Sequence, residues 1–161
     1  MSALKRVGLA AVVVGCAVAV VVWRIRQSNH AKHPQRRTGS SAEGMEYVMA
    51  GEGPRTVLII PGGPGSELPT GPLGLMMTGD WPQYLAGGYR VCFLTRRRNM
   101  PSAHSVADMA ADHARFIQEE LGGRVDLVVG KSYGGWIAIY LAANHPEVAR
   151  YVVAAGAAAR L

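Results

Sequence analysis

Two stretches and the alternation around them predict an α/β chain built on a doubly wound, mostly parallel sheet. Val125 to Leu141 reads V-D-L-V-V-G-K-S-Y-G-G-W-I-A-I-Y-L, and Thr56 to Gly65 reads T-V-L-I-I-P-G-G-P-G. Each opens with an apolar run rich in β-branched residues, the pattern of a strand buried on both faces, and breaks off at glycine. Strand-like and helix-like segments alternate between and after them, which implies crossover connections and helices on both faces of one sheet.

The amino-terminal end is different in kind. Val7 to Trp23 is a run of seventeen residues without charge, flanked by Lys5 and Arg6 before it and Arg24 and Arg26 after it. At the helical rise it spans about 26 Å, the short end of a bilayer crossing. We read residues 1–26 as a single-pass membrane anchor with basic flanks. A cleaved leader with an A-x-A site at Ala17-Val18-Ala19, or a lipoprotein box at Val13 to Cys16, is the alternative. The heavier basic flank lies on the carboxyl side, which places the globular part in the cytoplasm. Residues 27–44 are polar and aperiodic, and read as a flexible basic linker in which His30 and His33 are solvated rather than metal ligands.

The net charge of +6 comes from this end. Seven basic residues precede the first acidic one, Glu43, and the remaining ten basic and eleven acidic residues leave a net of minus one. A near-neutral body argues against a nucleic-acid surface. Cys16 and Cys92 imply no disulfide framework.

Within residues 45–161, Met45 to Met49 reads as a strand and Thr56 to Ile60 as a central one. The glycine-rich turn Pro61 to Gly65 then exposes backbone N–H groups suited to an anion or oxyanion. Ser66 to Gly79 is a loop, Asp80 caps a short helix through Leu85, and Tyr89 to Leu94 is the next strand. Arg96, Arg97 and Arg98 read as a solvated loop, with an acidic substrate group as the functional alternative. Ser105 is the N-cap of a helix whose apolar face carries Val106, Met109, Ala110, Ile117 and Leu121, with His113 on or beside it as a packing or surface residue. Tyr151 to Ala155 supplies a last strand.

Gly130-Lys131-Ser132-Tyr133-Gly134 matches G-x-S-x-G between a strand and a helix. Such a turn needs small residues on either side of the serine, and it lifts the hydroxyl above the sheet edge. The helix N-terminus and the N–H of Tyr133 then favour negative charge beside it. This is a site for acyl transfer. A phosphate loop is excluded by spacing, because Val125 stands where G-x-x-x-x-G-K-S requires glycine.

Through these two glycine turns the chain resembles the α/β-hydrolase superfamily, and its G-G-P-G portion is similar to the prolyl aminopeptidase branch, which has histidine where Pro61 stands. The resemblance implies that Ser132 is the nucleophile and that Gly63 and Tyr133 supply the two oxyanion N–H groups, acting on an ester, amide or peptide without metal or organic cofactor. In that family an acid and then a histidine follow the nucleophile, and neither is evident after Ser132. His145 and Glu147 stand at the far end of the elbow helix. His104 lies in a loop at the right sheet edge but has no carboxylate in sequence to orient it. The sheet is therefore read as incomplete, ending after the strand that follows the elbow helix, with an unpaired edge open to association. A catalytically inactive, membrane-anchored interaction protein is the second reading.

Overall fold

The computed structural model describes residues 36–63, 65–68 and 78–157. The anchor read at Val7 to Trp23, and His30 and His33, lie outside the described residues. No helix among the described residues is long and apolar enough to cross a membrane.

Among the described residues six strands form one sheet: β1 (Arg37–Ser40), β2 (Glu46–Ala50), β3 (Arg55–Ile60), β4 (Tyr89–Leu94), β5 (Val125–Lys131) and β6 (Ala149–Ala155), in the spatial order β1-β2-β4-β3-β5-β6. The pairs β3 with β4, β3 with β5 and β5 with β6 are parallel, whereas β2 pairs antiparallel with both β1 and β4. The helices are α1 (Trp81–Ala86), α2 (Val106–Glu120) and α3 (Tyr133–Asn144), with a 3₁₀ turn at Pro146–Val148.

Strand β1 corrects the linker reading, since Arg37–Ser40 falls inside residues 27–44 yet pairs along its whole length with β2. The turn that returns it is built by Ser41, whose N–H donates to the Met45 carbonyl at 2.8 Å and whose Oγ accepts from the N–H groups of Glu43 and Met45 at 3.2 and 3.3 Å. These are local side-chain-to-backbone bonds of the kind that polar turns use.

The two-period of β3 divides the core. Leu58 and Ile60 face a cluster with Cys92, Leu94, Val128, Phe116, Ile117, Ile137 and Leu141, under α2 and α3. Val57 and Ile59 face the opposite cluster with Val91, Phe93, Val129 and Trp81, under α1. Apolar side chains on both faces explain the unbroken hydrophobic runs in the sequence. Helix α2 starts where expected, at a reciprocal capping box: Asp108 N–H donates to Ser105 Oγ at 3.1 Å, and Ser105 N–H donates to Asp108 Oδ2 at 2.8 Å.

On α3, Ile137, Ala138 and Leu141 are buried in the core and Tyr140 is exposed. Among the described residues strand β6 has one neighbour, β5, and Tyr151 and Val153, on the face that carries Leu127 and Val129, are 61% and 48% exposed. Pairing Ile60 with Gly130 and Ile59 with Phe93 brings the carboxyl ends of β3, β4 and β5 to one edge of the sheet. The three turns that leave this edge make the site.

Candidate active site

Ser132 stands between the last residue of β5 and the first of α3, with φ 51° and ψ −117°. That conformation costs a non-glycine residue about 1 to 3 kcal/mol, so the surrounding structure must hold it. It does so with backbone bonds. Ser132 N–H donates to the Ala155 carbonyl of β6 at 2.7 Å, and Gly135 N–H donates to the Ser132 carbonyl at 2.9 Å.

The flanking glycines are required by close approach. A Cβ on Gly130 would meet the Gly134 oxygen at 2.2 Å and Ala138 Cβ at 2.6 Å, and one on Gly134 would meet the Ile60 oxygen at 2.3 Å. Strand and helix can therefore pack only without side chains here, and the serine is left exposed above them. Tyr133 opens the helix, so its N–H belongs to the first turn, which has no intrahelical acceptor.

The turn after β3 lies directly against this serine. A Cβ on Gly62 would come within 2.7 Å of Ser132 Cβ and 3.4 Å of its Oγ, and Gly63 follows with φ +64°. The structure thus brings Ser132, Tyr133 and the Pro61–Gly63 turn together, and Gly62, which sequence reasoning passed over, makes the closest approach.

The three arginines after β4 are not a uniform solvated loop, which corrects the expectation. Arg98 Nη2 pairs with Glu46 Oε1 at 2.9 Å and is exposed. Arg97 Nε lies 3.7 Å from Asp112 Oδ2. Arg96 is buried, donates from Nη2 to the Gly63 carbonyl, and places its guanidinium carbon 4.7 Å from the centre of the Tyr133 ring. Beside Ser132, Lys131 Nζ bonds Asp80 Oδ2 at 2.8 Å, tying the elbow to the start of α1.

His104 has the carboxylate that the sequence did not offer. Its Nε2 lies 2.8 Å from Asp112 Oδ2 on the second turn of α2. The pair binds the loop to the helix, and among the described residues no histidine is hydrogen-bonded to the Ser132 side chain. His145 and Glu147 face each other at 3.9 Å beyond the end of α3, as expected of residues one helix length from Ser132.

No protein-family model matches the chain, and no curated protein sequence is similar to it. Solved structures are. An α/β-hydrolase enzyme from the sediment metagenome of the Mar Chica lagoon, Morocco, is 21% identical with a TM-score of 0.53, over 72% of this chain and 49% of that one. A potato epoxide hydrolase variant is 22% identical with a TM-score of 0.59, over 73% and 39%. An epoxide hydrolase from an endophytic Streptomyces is 26% identical with a TM-score of 0.55, over 75% and 36%. The chain thus spans less than half the length of each. With its strand-turn-helix elbow and the glycine turn set against it, this chain has the fold of the α/β-hydrolase superfamily.

Proposed function

We propose that the chain is the nucleophile-bearing part of a serine hydrolase. Ser132 Oγ attacks an ester or amide carbonyl, the N–H groups of Gly63 and Tyr133 hold the oxyanion, the leaving group departs, and water releases the acyl group from Ser132. The observation that carries this reading is the placement of an exposed, positive-φ serine at the strand-helix junction against the glycine turn. Neither a metal nor an organic cofactor enters these steps. The base that takes the hydroxyl proton, and the acid that orients it, come in this proposal from polypeptide outside the described residues. The open edge of β6, with Tyr151 and Val153, is where association with such polypeptide would occur.

A fluorophosphonate probe tests the reading. Labelling of the folded protein that disappears in Ser132→Ala supports it. Labelling that survives the substitution rejects Ser132 as nucleophile.

The second reading is a non-catalytic, hydrolase-like interaction protein, favoured by the lack of a histidine bonded to Ser132 among the described residues. It predicts no labelling and no ester hydrolysis above the Ser132→Ala level. Under either reading we propose that Val7 to Trp23 anchors the protein in a membrane with the globular part cytoplasmic, supported by the uncharged run and its basic flanks. Deleting residues 1–26 should move the protein from the membrane fraction to the soluble one, and retention in the membrane would reject the anchor.

A further inference from the structure

Arg96 touches both residues to which the oxyanion N–H groups are assigned. It lies two positions beyond β4 and is only 8% exposed. Its own N–H donates to the Gly65 carbonyl at 2.7 Å, and its Nη2 donates to the Gly63 carbonyl. A Cβ on Gly65 would sit 3.1 Å from both Nε and Nη2, so the guanidinium lies along the glycine turn. On its other side the Tyr133 ring covers it, with the guanidinium carbon 4.7 Å from the ring centre.

This is an expensive place for a cation. Among the described residues no carboxylate pairs with Arg96, and its Nε is buried without a hydrogen-bond partner. A buried guanidinium ordinarily has an acidic partner, and even the half-buried Arg97 has Asp112. Its retained interactions are instead one peptide carbonyl and one aromatic face, each belonging to a proposed oxyanion donor. A planar guanidinium stacks on the ring while its N–H groups donate in the plane, a geometry that an ammonium does not offer.

We propose that Arg96 is a positioning residue for the oxyanion hole, a proposal that rests on the serine-hydrolase reading. Gly63 has a positive φ, and a charge-assisted bond to its carbonyl fixes the peptide plane on that side and so restrains the adjoining plane that carries its N–H. Stacking on Tyr133 fixes the first residue of α3. The same side chain thereby sets the distance between two N–H groups that come from separate parts of the sequence, the turn after β3 and the turn after β5.

The test combines amide NMR with kinetics on the full chain and its Arg96→Met, Arg96→Lys, Arg96→Ala and Ser132→Ala variants, using p-nitrophenyl acetate. In Arg96→Met the amides of Gly63, Gly65 and Tyr133 should shift together and exchange faster while those of α2 stay fixed. Ser132-dependent hydrolysis should lose about 100-fold in kcat with KM within about twofold, the size expected for misplaced donors. Guanidinium ion below denaturing concentration should restore part of the Arg96→Ala loss and none of the Ser132→Ala loss. Arg96→Lys keeps the charge and most of the stem, so it serves if Arg96→Met does not fold, and its kcat should also fall. Unmoved Gly63 and Tyr133 amides, a loss confined to KM, or a wild-type kcat in Arg96→Lys would overturn the proposal. Equal inactivity of the parent and Ser132→Ala, with both amides moving in Arg96→Met, would instead favour the non-catalytic reading of this chain and leave the clamp standing.

Discussion

Gly62 and Ser132 are packed so closely that a side chain on the first would strike the second. A Cβ at Gly62 lies 2.7 Å from Ser132 Cβ and 2.8 Å from the Lys131 oxygen, well inside contact distance and against backbone on one side. Gly62→Ala should therefore displace either the turn or the serine. A shift of about 1 Å in a reacting group costs about 100-fold, so probe labelling of Ser132 should fall by that order while the far-ultraviolet circular dichroism is kept. Unchanged labelling in Gly62→Ala would mean that the turn and the nucleophile are not held together as described.

The strain at Ser132 makes a second prediction. Its φ of 51° with ψ of −117° suits glycine, and alanine at this position would keep the Cβ and hence the strain. Ser132→Gly should unfold later in urea than Ser132→Ala, by about 1 kcal/mol after glycine's greater unfolded-state entropy is counted. Equal midpoints for the two variants would show that the surroundings have relaxed the serine. Strain held at a candidate functional residue is a common trade between activity and stability.

The parts of the fold that were legible in the sequence are those whose signal is local. Val57 to Ile60 and Leu127 to Val129 are apolar runs because both faces are covered, and Gly130 and Gly134 have the spacing that the close strand-helix approach demands. Strand β1 was not legible, because Arg-Thr-Gly-Ser has no apolar alternation and is held by backbone pairing with β2. Within Pro61 to Gly63 the sequence marks a turn, but which glycine meets Ser132 depends on how β3 lies beside β5. The roles of Arg96, Arg97 and Arg98 were hidden for the same reason. Three identical neighbours point to Tyr133, Asp112 and Glu46, which only the folded chain brings into reach.

Asp112 is the clearest case of such a tertiary residue, and its removal should cost stability. It is buried on α2 and accepts from His104 at 2.8 Å, with Arg97 at 3.7 Å on the same oxygen. The loop between β4 and α2 is thus fastened at its start and near its end by one carboxylate. Asp112→Ala would leave Arg97 facing a vacated, poorly solvated site, and should destabilise the protein by about 2 to 4 kcal/mol in urea unfolding. A loss below about 0.5 kcal/mol would place this cluster among ordinary surface pairs, which contribute little.

His113, the next residue, makes folding sensitive to acid. Its ring is fully buried, Nδ1 donates to the Met109 carbonyl at 2.7 Å, and Nε2 has no hydrogen-bond partner. Burial pushes its pKa down to about 4 from 6.5, outweighing the upward pull of the Met109 carbonyl and Asp112, while Arg96 adds a further downward push. The unfolded chain therefore binds a proton between about pH 6.5 and pH 4 that the folded chain refuses. By linkage, the neutral buried ring stabilises the fold fully above the unfolded value, and that contribution is lost as pH falls toward 4. The drop between pH 7.5 and pH 4.5 should be about 2 to 3 kcal/mol from this residue. His113→Gln keeps a donor for Met109 but does not titrate, so urea unfolding of the variant should lose that much less over the same interval. Carboxylates whose pKa is held down, such as Glu43, contribute equally to both proteins and cancel in the difference. Parallel losses in the two proteins would mean that His113 takes up its proton in the folded state and is not closed off from water.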